Sequence, residues 1–498
     1  MFRTLSSTAF LLLSVFLSAE PVGAQITSEE YAARRDSVAG RMGEGALLAF
    51  GAPRPTGAAS EMRQLPAFNY LTGFQEPDAV LVLVNAEGRL DPILFTGMPT
   101  VREQLYDGFR EDPASLARRT GFQVRPLSGL TSVVDSLVEA GLPLFQLRDF
   151  ASADDVARDT LTRGRVFVQA LEARHPGLVV EDVHPEVDRL RARKSPGEID
   201  LLRRAVDITE AAHGSALDVV RPGVWEYQVE AAIEHTFRHM GADGSAFASI
   251  VGSGPNSTTL HYVANDRRME AGDLVVMDIG AQVEGYAADL TRTLPVSGRF
   301  TSEQRAIYDL VLESHEAAAR EVGPGARASA SLEASQRTRL QGMARLGLIE
   351  SPDATYDPPW PVNCEVRPSQ CLQGMLFMIH GISHGIGLEV HDVAAFSLGE
   401  RTYQPGDVFT IEPGIYVNAE VLDLLEDTPR NRAFVEAVRE TVERYHEIGV
   451  RIEDDYLVTA KGVERLSTEA LRRAEAIEAA MAGAVSSSRV GKGGDSSP

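Results

Sequence analysis

The chain is poor in cysteine and in positive charge, and it has no long apolar run beyond its first residues. Its two cysteines, Cys364 and Cys371, are too few for a scaffold of several disulfides or for a zinc site made of thiolates alone. They also stand too far apart for a Cys-x-x-Cys redox motif. Two readings remain: a disulfide closing a small loop in an oxidising compartment, or two free buried thiols. Lysine and arginine number 48 against 71 aspartates and glutamates, a net charge of −23. Such an acidic chain is not expected to bind nucleic acid phosphates or to dock on anionic lipid. What is present is an ordinary globular composition, 44% hydrophobic and 24% charged, over 498 residues. That is enough for two or three domains with full cores.

The single strong apolar run lies at the start, from Ala9 to Ala19, with Arg3 before it and Val22-Gly23-Ala24 after it. This is the pattern of a secretory signal peptide covering residues 1–24 and cleaved after Ala24. The run is too short to span a bilayer comfortably. No cysteine near the cleavage point offers a lipid anchor. The expected mature protein lies in the periplasm or outside the cell, with no stable membrane association.

Residues 25 to 187 alternate apolar runs with helix-like stretches and read as an α/β domain. LVLVNAEGRLDPILF, residues 81 to 95, reads as strand, Asn/Gly turn and strand. LTSVVDSLVEAG reads as a helix stopped by Gly141. In RARKSPGEIDLL, Ser195 is a good N-cap, Pro196 suits the first helical position and Glu198 completes a capping box. A second domain is therefore placed from 188 to 475, mixing helices with apolar strands. A charged, helix-like insertion is expected between Ala419 and Glu447, and a disordered tail over 476 to 498.

The chemistry gathers in this second domain. Residues 380 to 392 read HGISHGIGLEVHD and hold three of the chain's 11 histidines. Asp278, Asp289, Glu412 and Glu453 each sit in or beside a β-branched or aliphatic run, where an isolated carboxylate would be costly. The nearby Arg292 and Arg451 are too few to neutralise all four. A tight turn at Glu284-Gly285 is expected to bring Asp278 and Asp289 nearly opposite each other. Arg451 and Glu453, two apart on a strand, are expected to share a face. Several carboxylates with an imidazole suit a hard or borderline divalent cation, manganese rather than copper, and four carboxylates are enough for two bridged ions. His235 and His239 also share a helical face, but Thr236 stands where a zinc-protease helix needs glutamate, so they read as surface residues.

The histidine run, with DIGAQVEGYAADLTRTLPV before it and TIEPGIY and VRIEDDYLVT after it, strongly resembles the pita-bread metallopeptidases. These include methionine aminopeptidase, prolidase and aminopeptidase P. LRARKSPGEIDLLRRAVDIT and FNYLTGFQEPDAVLVLV resemble the last two, so the likeness covers most of the chain. It implies a pita-bread catalytic domain behind an α/β domain of the aminopeptidase P type. It implies that Asp278, Asp289, His384, Glu412 and Glu453 hold two metal ions, usually manganese. It implies that His261 and His391 contact the substrate, that His380 lines the same pocket, and that Arg451 steadies the ligands. The expected activity is removal of a first residue that precedes proline, with a homodimer or homotetramer as the expected assembly. A prolidase acting on Xaa-Pro dipeptides is the alternative, with Arg401 a candidate for fixing the dipeptide carboxylate. A catalytically dead secreted binding module is the remote one.

Overall fold

The computed structural model describes residues 25–55, 62–150, 161–393 and 401–490. The expected signal peptide, residues 1–24, lies outside them, as do residues 491–498. The N-terminal part is built on a six-stranded sheet in the spatial order 123–126, 89–96, 80–86, 45–50, 144–146, 180–182. Its centre is antiparallel and its flanks are parallel. The expected hairpin closes at Glu87 and Gly88, both with positive φ, as a two-residue turn of this kind requires. Alternation along these strands sends Leu47, Leu81 and Leu83 to one face and Leu48, Val80 and Val82 to the other. The second face packs on the helices Leu130–Glu139 and Arg163–Arg174. The first face belongs to a core that runs without a break into the C-terminal part.

Residue 188 falls within a short helix, His184–Arg191. Helix Pro196–Val219 follows with the capping box in place: Glu198 N–H donates to Ser195 Oγ at 3.2 Å, and Ser195 N–H donates to Glu198 Oε2 at 3.0 Å. Glu226–His239 packs beside it, and Ser302–Arg320 packs beside Ala328–Leu346. Inside these helices, short antiparallel strands turn from one small sheet to the next.

Several expectations need correction. The turn at Glu284-Gly285 exists, but it tips a separate small hairpin, 281–283 with 286–287. Strand Leu274–Ile279 pairs with Leu290–Pro295 so that Asp278 faces Thr291; Asp289 lies one residue before that strand. Arg451 ends strand Ile448–Arg451 and Glu453 sits in the two-residue link before Asp454–Thr459, so they are not on one strand, yet both side chains reach the same side, where they bond the Thr291 hydroxyl. The insertion holds a 3₁₀ turn, Ala419–Leu424, and a helix, Pro429–Arg444. The segment expected to be a disordered tail begins with helix Ala474–Val490, anchored by buried Ile477 and Met481. Cys364 and Cys371 form a disulfide, which resolves the two readings of the thiols.

Candidate metal centre

Five backbone segments converge on one point. Asp278 comes from the edge of its strand, and Asp289 is fixed by its own N–H, which donates to Asp455 Oδ2 at 3.2 Å. The histidine loop runs beside strand Val408–Ile411: Thr410 N–H donates to His384 O and Glu412 N–H donates to Ile382 O. That ladder places His384 against Glu412. Glu453 is held by its N–H to Thr291 O. His384 Nε2 then lies 3.5 Å from Asp289 Oδ2, 3.5 Å from Glu412 Oε1 and 3.8 Å from Glu453 Oε1. Ligand atoms of Asp289, His384 and Glu453 all lie within 4.8 Å of one another.

The polar groups around them are largely spoken for. Arg451 pairs with Asp278 Oδ2 and gives its Nε–H to Thr291 Oγ1. The Thr291 hydroxyl donates to Glu453 Oε2 at 2.8 Å. Tyr416 OH accepts from Arg451 Nη1 and sits 2.8 Å from His380 Nε2, while His380 Nδ1 is 3.4 Å from Glu412 Oε2. Yet Asp278 Oδ1, Asp289 Oδ1 and Glu453 Oε1 are buried without any hydrogen-bond partner. Buried carboxylate oxygens are rarely left so. Burial, with Glu453 and Asp278 nearby, pushes the Asp289 carboxyl well above its ordinary range, and burial with Glu412 and Asp278 does the same to Glu453. Burial would raise Glu412 too, but the His380 bond and the Arg451 charge outweigh it and hold the carboxyl below its ordinary range. Burial lowers His384, as a neutral ligand requires. Unpartnered oxygens, mutual repulsion and one neutral imidazole make a set of donors that fits divalent cations.

A cavity of about 470 Å³ opens over Asp278, Asp289, His261 and His391, with Phe247, Ile250 and Val390 among its apolar walls. The His391 ring lies 4.4 Å from that of His384. The nine residues expected at the site lie either in the charged cluster or on the cavity wall. Arg401, the dipeptide-carboxylate candidate of the alternative reading, lies in neither, and His235 and His239 lie on the surface as expected. Arg401 bonds to buried Asp407 and is absent from the cavity wall. His235 and His239 stack on each other on an exposed helix face.

Sequence reading missed the supports. Thr291 and Tyr416 stand within the quoted motifs, but a neutral hydroxyl gives no signal of its own. Asp392, beside His391, is buried between Arg191 and Lys194, with Lys194 Nζ at 2.8 Å from Asp392 Oδ2. A Cβ on Gly387 would run into this carboxylate, so the glycine permits the loop to close over it. The two cations lie in RARK, a stretch read only as a helix start.

A converging set of acidic side chains and one imidazole beneath a half-apolar cavity defines a metal-dependent hydrolase. The model of Metallopeptidase family M24 matches residues 200–460, and that of the aminopeptidase P N-terminal domain matches residues 31–143. The chain belongs to metallopeptidase family M24. It is 34% identical to the Xaa-Pro aminopeptidase of Escherichia coli K12 over 92% of this chain and 99% of that one. It is also 34% identical to the Xaa-Pro dipeptidase of Homo sapiens, over 60% of this chain and 62% of that one. Among solved structures, Escherichia coli aminopeptidase P with the inhibitor Pro-Leu superposes with a TM-score of 0.77 and 33% identity, covering 93% of this chain and all of that one.

Proposed function

We propose that the protein is a secreted or periplasmic Xaa-Pro aminopeptidase working with two divalent cations, manganese in particular. The observation that carries the metal reading is the trio of buried, unpartnered carboxylate oxygens beside His384. Likeness to an Xaa-Pro aminopeptidase along nearly its whole length supports the substrate class, where the dipeptidase likeness covers less. The bond to Asp407 leaves Arg401 an unsuitable anchor for a dipeptide carboxylate. Asp278, Asp289, His384, Glu412 and Glu453 are the proposed ligands, and the ions they hold supply a Lewis acid and an acidified water.

The chain's own groups do the rest. Glu412, set between His384 and His380, takes a proton from the attacking water and returns it to the departing nitrogen. His261 and His391 face the cavity and offer N–H donors to the carbonyl oxygen as it gains charge. Arg451, tied to Asp278, Thr291 and Tyr416, fixes the ligands' orientation. Proline in the second position has no amide hydrogen and a fixed ring. An apolar wall of Phe247, Ile250 and Val390 suits such a ring without demanding an N–H donor. A homo-oligomer and a cleaved signal peptide over residues 1–24 complete the proposal. Glu412→Ala tests the mechanism: loss of Xaa-Pro peptide cleavage is expected, and unchanged turnover would refute it.

A further inference from the structure

Helix Glu226–His239 begins with a carboxylate that no part of the proposed chemistry uses, although the residue is fully buried, at 0% exposure. Glu226 Oε1 accepts from Ser253 N–H at 2.7 Å, from Ser253 Oγ at 2.6 Å and from Asn256 Nδ2 at 3.3 Å. Its Oε2 accepts from Tyr262 OH and from Arg267 N–H, both at 2.8 Å. The Glu226 backbone adds an N–H bond to Arg267 O. One side chain thus grips both stems of the segment between Ser253 and Arg267.

His261 lies in this segment, exposed and on the cavity wall. The bonds that fix the segment are made by its neighbours. Besides Glu226, they include buried Asn265, which accepts from Val251 N–H and donates to Ser249 O, and Asp266, whose N–H donates to the Tyr262 hydroxyl oxygen at 3.2 Å. Tyr262, directly next to His261, is held by Glu226 itself. A buried carboxylate accepting five donors is a strong, directional anchor. It also sits at the positive end of a 14-residue helix.

We infer that Glu226 is a positioning residue for the reaction, setting the place of His261 over the cavity by clamping both ends of its loop. The inference rests on the proposed contact between His261 and the substrate. A misplacement of about 1 Å in a group that touches the reacting atoms can lower the rate roughly 10²-fold.

The test uses the full-length, metal-loaded enzyme with an Xaa-Pro-Yaa-Zaa peptide and the variants Glu226→Gln, Tyr262→Phe and His261→Ala. Tyr262→Phe removes one bond of the clamp without placing a new donor in the interior, so it guards against a Glu226 variant that fails to fold. Both clamp variants are expected to lower kcat by about tenfold or more, with bound metal unchanged and amide exchange in residues 254–266 accelerated. In a His261→Ala background they are expected to lower kcat no further. An equal loss in that background, or unaltered exchange, would overturn the positioning role. If His261→Ala alone leaves kcat intact, the role given to His261 fails, and exchange in 254–266 alone decides whether Glu226 holds the loop.

Discussion

Thr291 carries no charge, yet its hydroxyl joins Glu453 to Arg451 at the floor of the metal centre. Groups that orient ligands in this way tune affinity without touching the ion. Thr291→Val keeps the shape and removes both bonds, and should weaken metal binding roughly 10- to 100-fold, measured by titration of stripped protein. Glu412 has the opposite profile, being both ligand and proton carrier in the proposed mechanism. Glu412→Gln is nearly isosteric and should lower kcat by roughly 10³-fold, read in steady-state kinetics, while circular dichroism stays unchanged. Charged residues such as these were legible because a carboxylate inside an apolar run is anomalous on its face. Thr291 and Tyr416 were not, since a hydroxyl among strand residues is ordinary until its partners are known.

At the scale of elements, the histidine loop is held from two sides. Strand Val408–Ile411 bonds its backbone, and Arg191 and Lys194 hold Asp392 from below. Asp392→Ala would leave buried Lys194 without its carboxylate, while Arg191 keeps its pair with Glu389. Breaking a buried pair in this way costs about 3–5 kcal/mol, to be read as a shift in a denaturant midpoint at constant slope. Helix Pro196–Val219 and the hairpin 80–96 could be read in advance, because capping residues and a turn glycine are local signals, although Asn85 falls in the strand and Glu87 takes the turn position expected of an asparagine. The placement of Asp278 and Asp289 could not. A break at Ala288-Asp289 separates the small hairpin from the long strand pair, and only the fold decides where such a break falls. Helix Ala474–Val490 was misread for a related reason. Its composition is small and polar toward the end, and it is two buried side chains, Ile477 and Met481, that hold it on the core.

Across the whole molecule, charge and core set the behaviour. One hydrophobic core joins the N-terminal sheet to the catalytic strands, and Arg63 crosses between them to donate to Ala246 O and Ser245 O beside the cavity. The centre stores repulsion that a divalent cation relieves. Asp289 and Glu453 have folded-state carboxyl pKa values above their unfolded ones, so at these two groups the metal-free native state holds protons that the unfolded chain has lost. Its stability from these groups therefore falls as pH rises past the unfolded carboxyl range near about 4. Metal binding must displace those protons. The rise in Tm on adding manganese should be larger at about pH 8 than at about pH 5, and calorimetry in buffers of different ionisation enthalpy should register proton release. A metal effect on Tm that shrinks with rising pH would contradict this account of the site.

The most direct measurement follows the metal-stripped protein, reloaded with manganese, against an Xaa-Pro dipeptide and an Xaa-Pro-Yaa-Zaa peptide by mass spectrometry. Removal of the first residue from the longer peptide, abolished by stripping and restored by manganese, is the predicted result. Cleavage of the dipeptide alone, or of neither peptide with metal bound, would contradict the assignment.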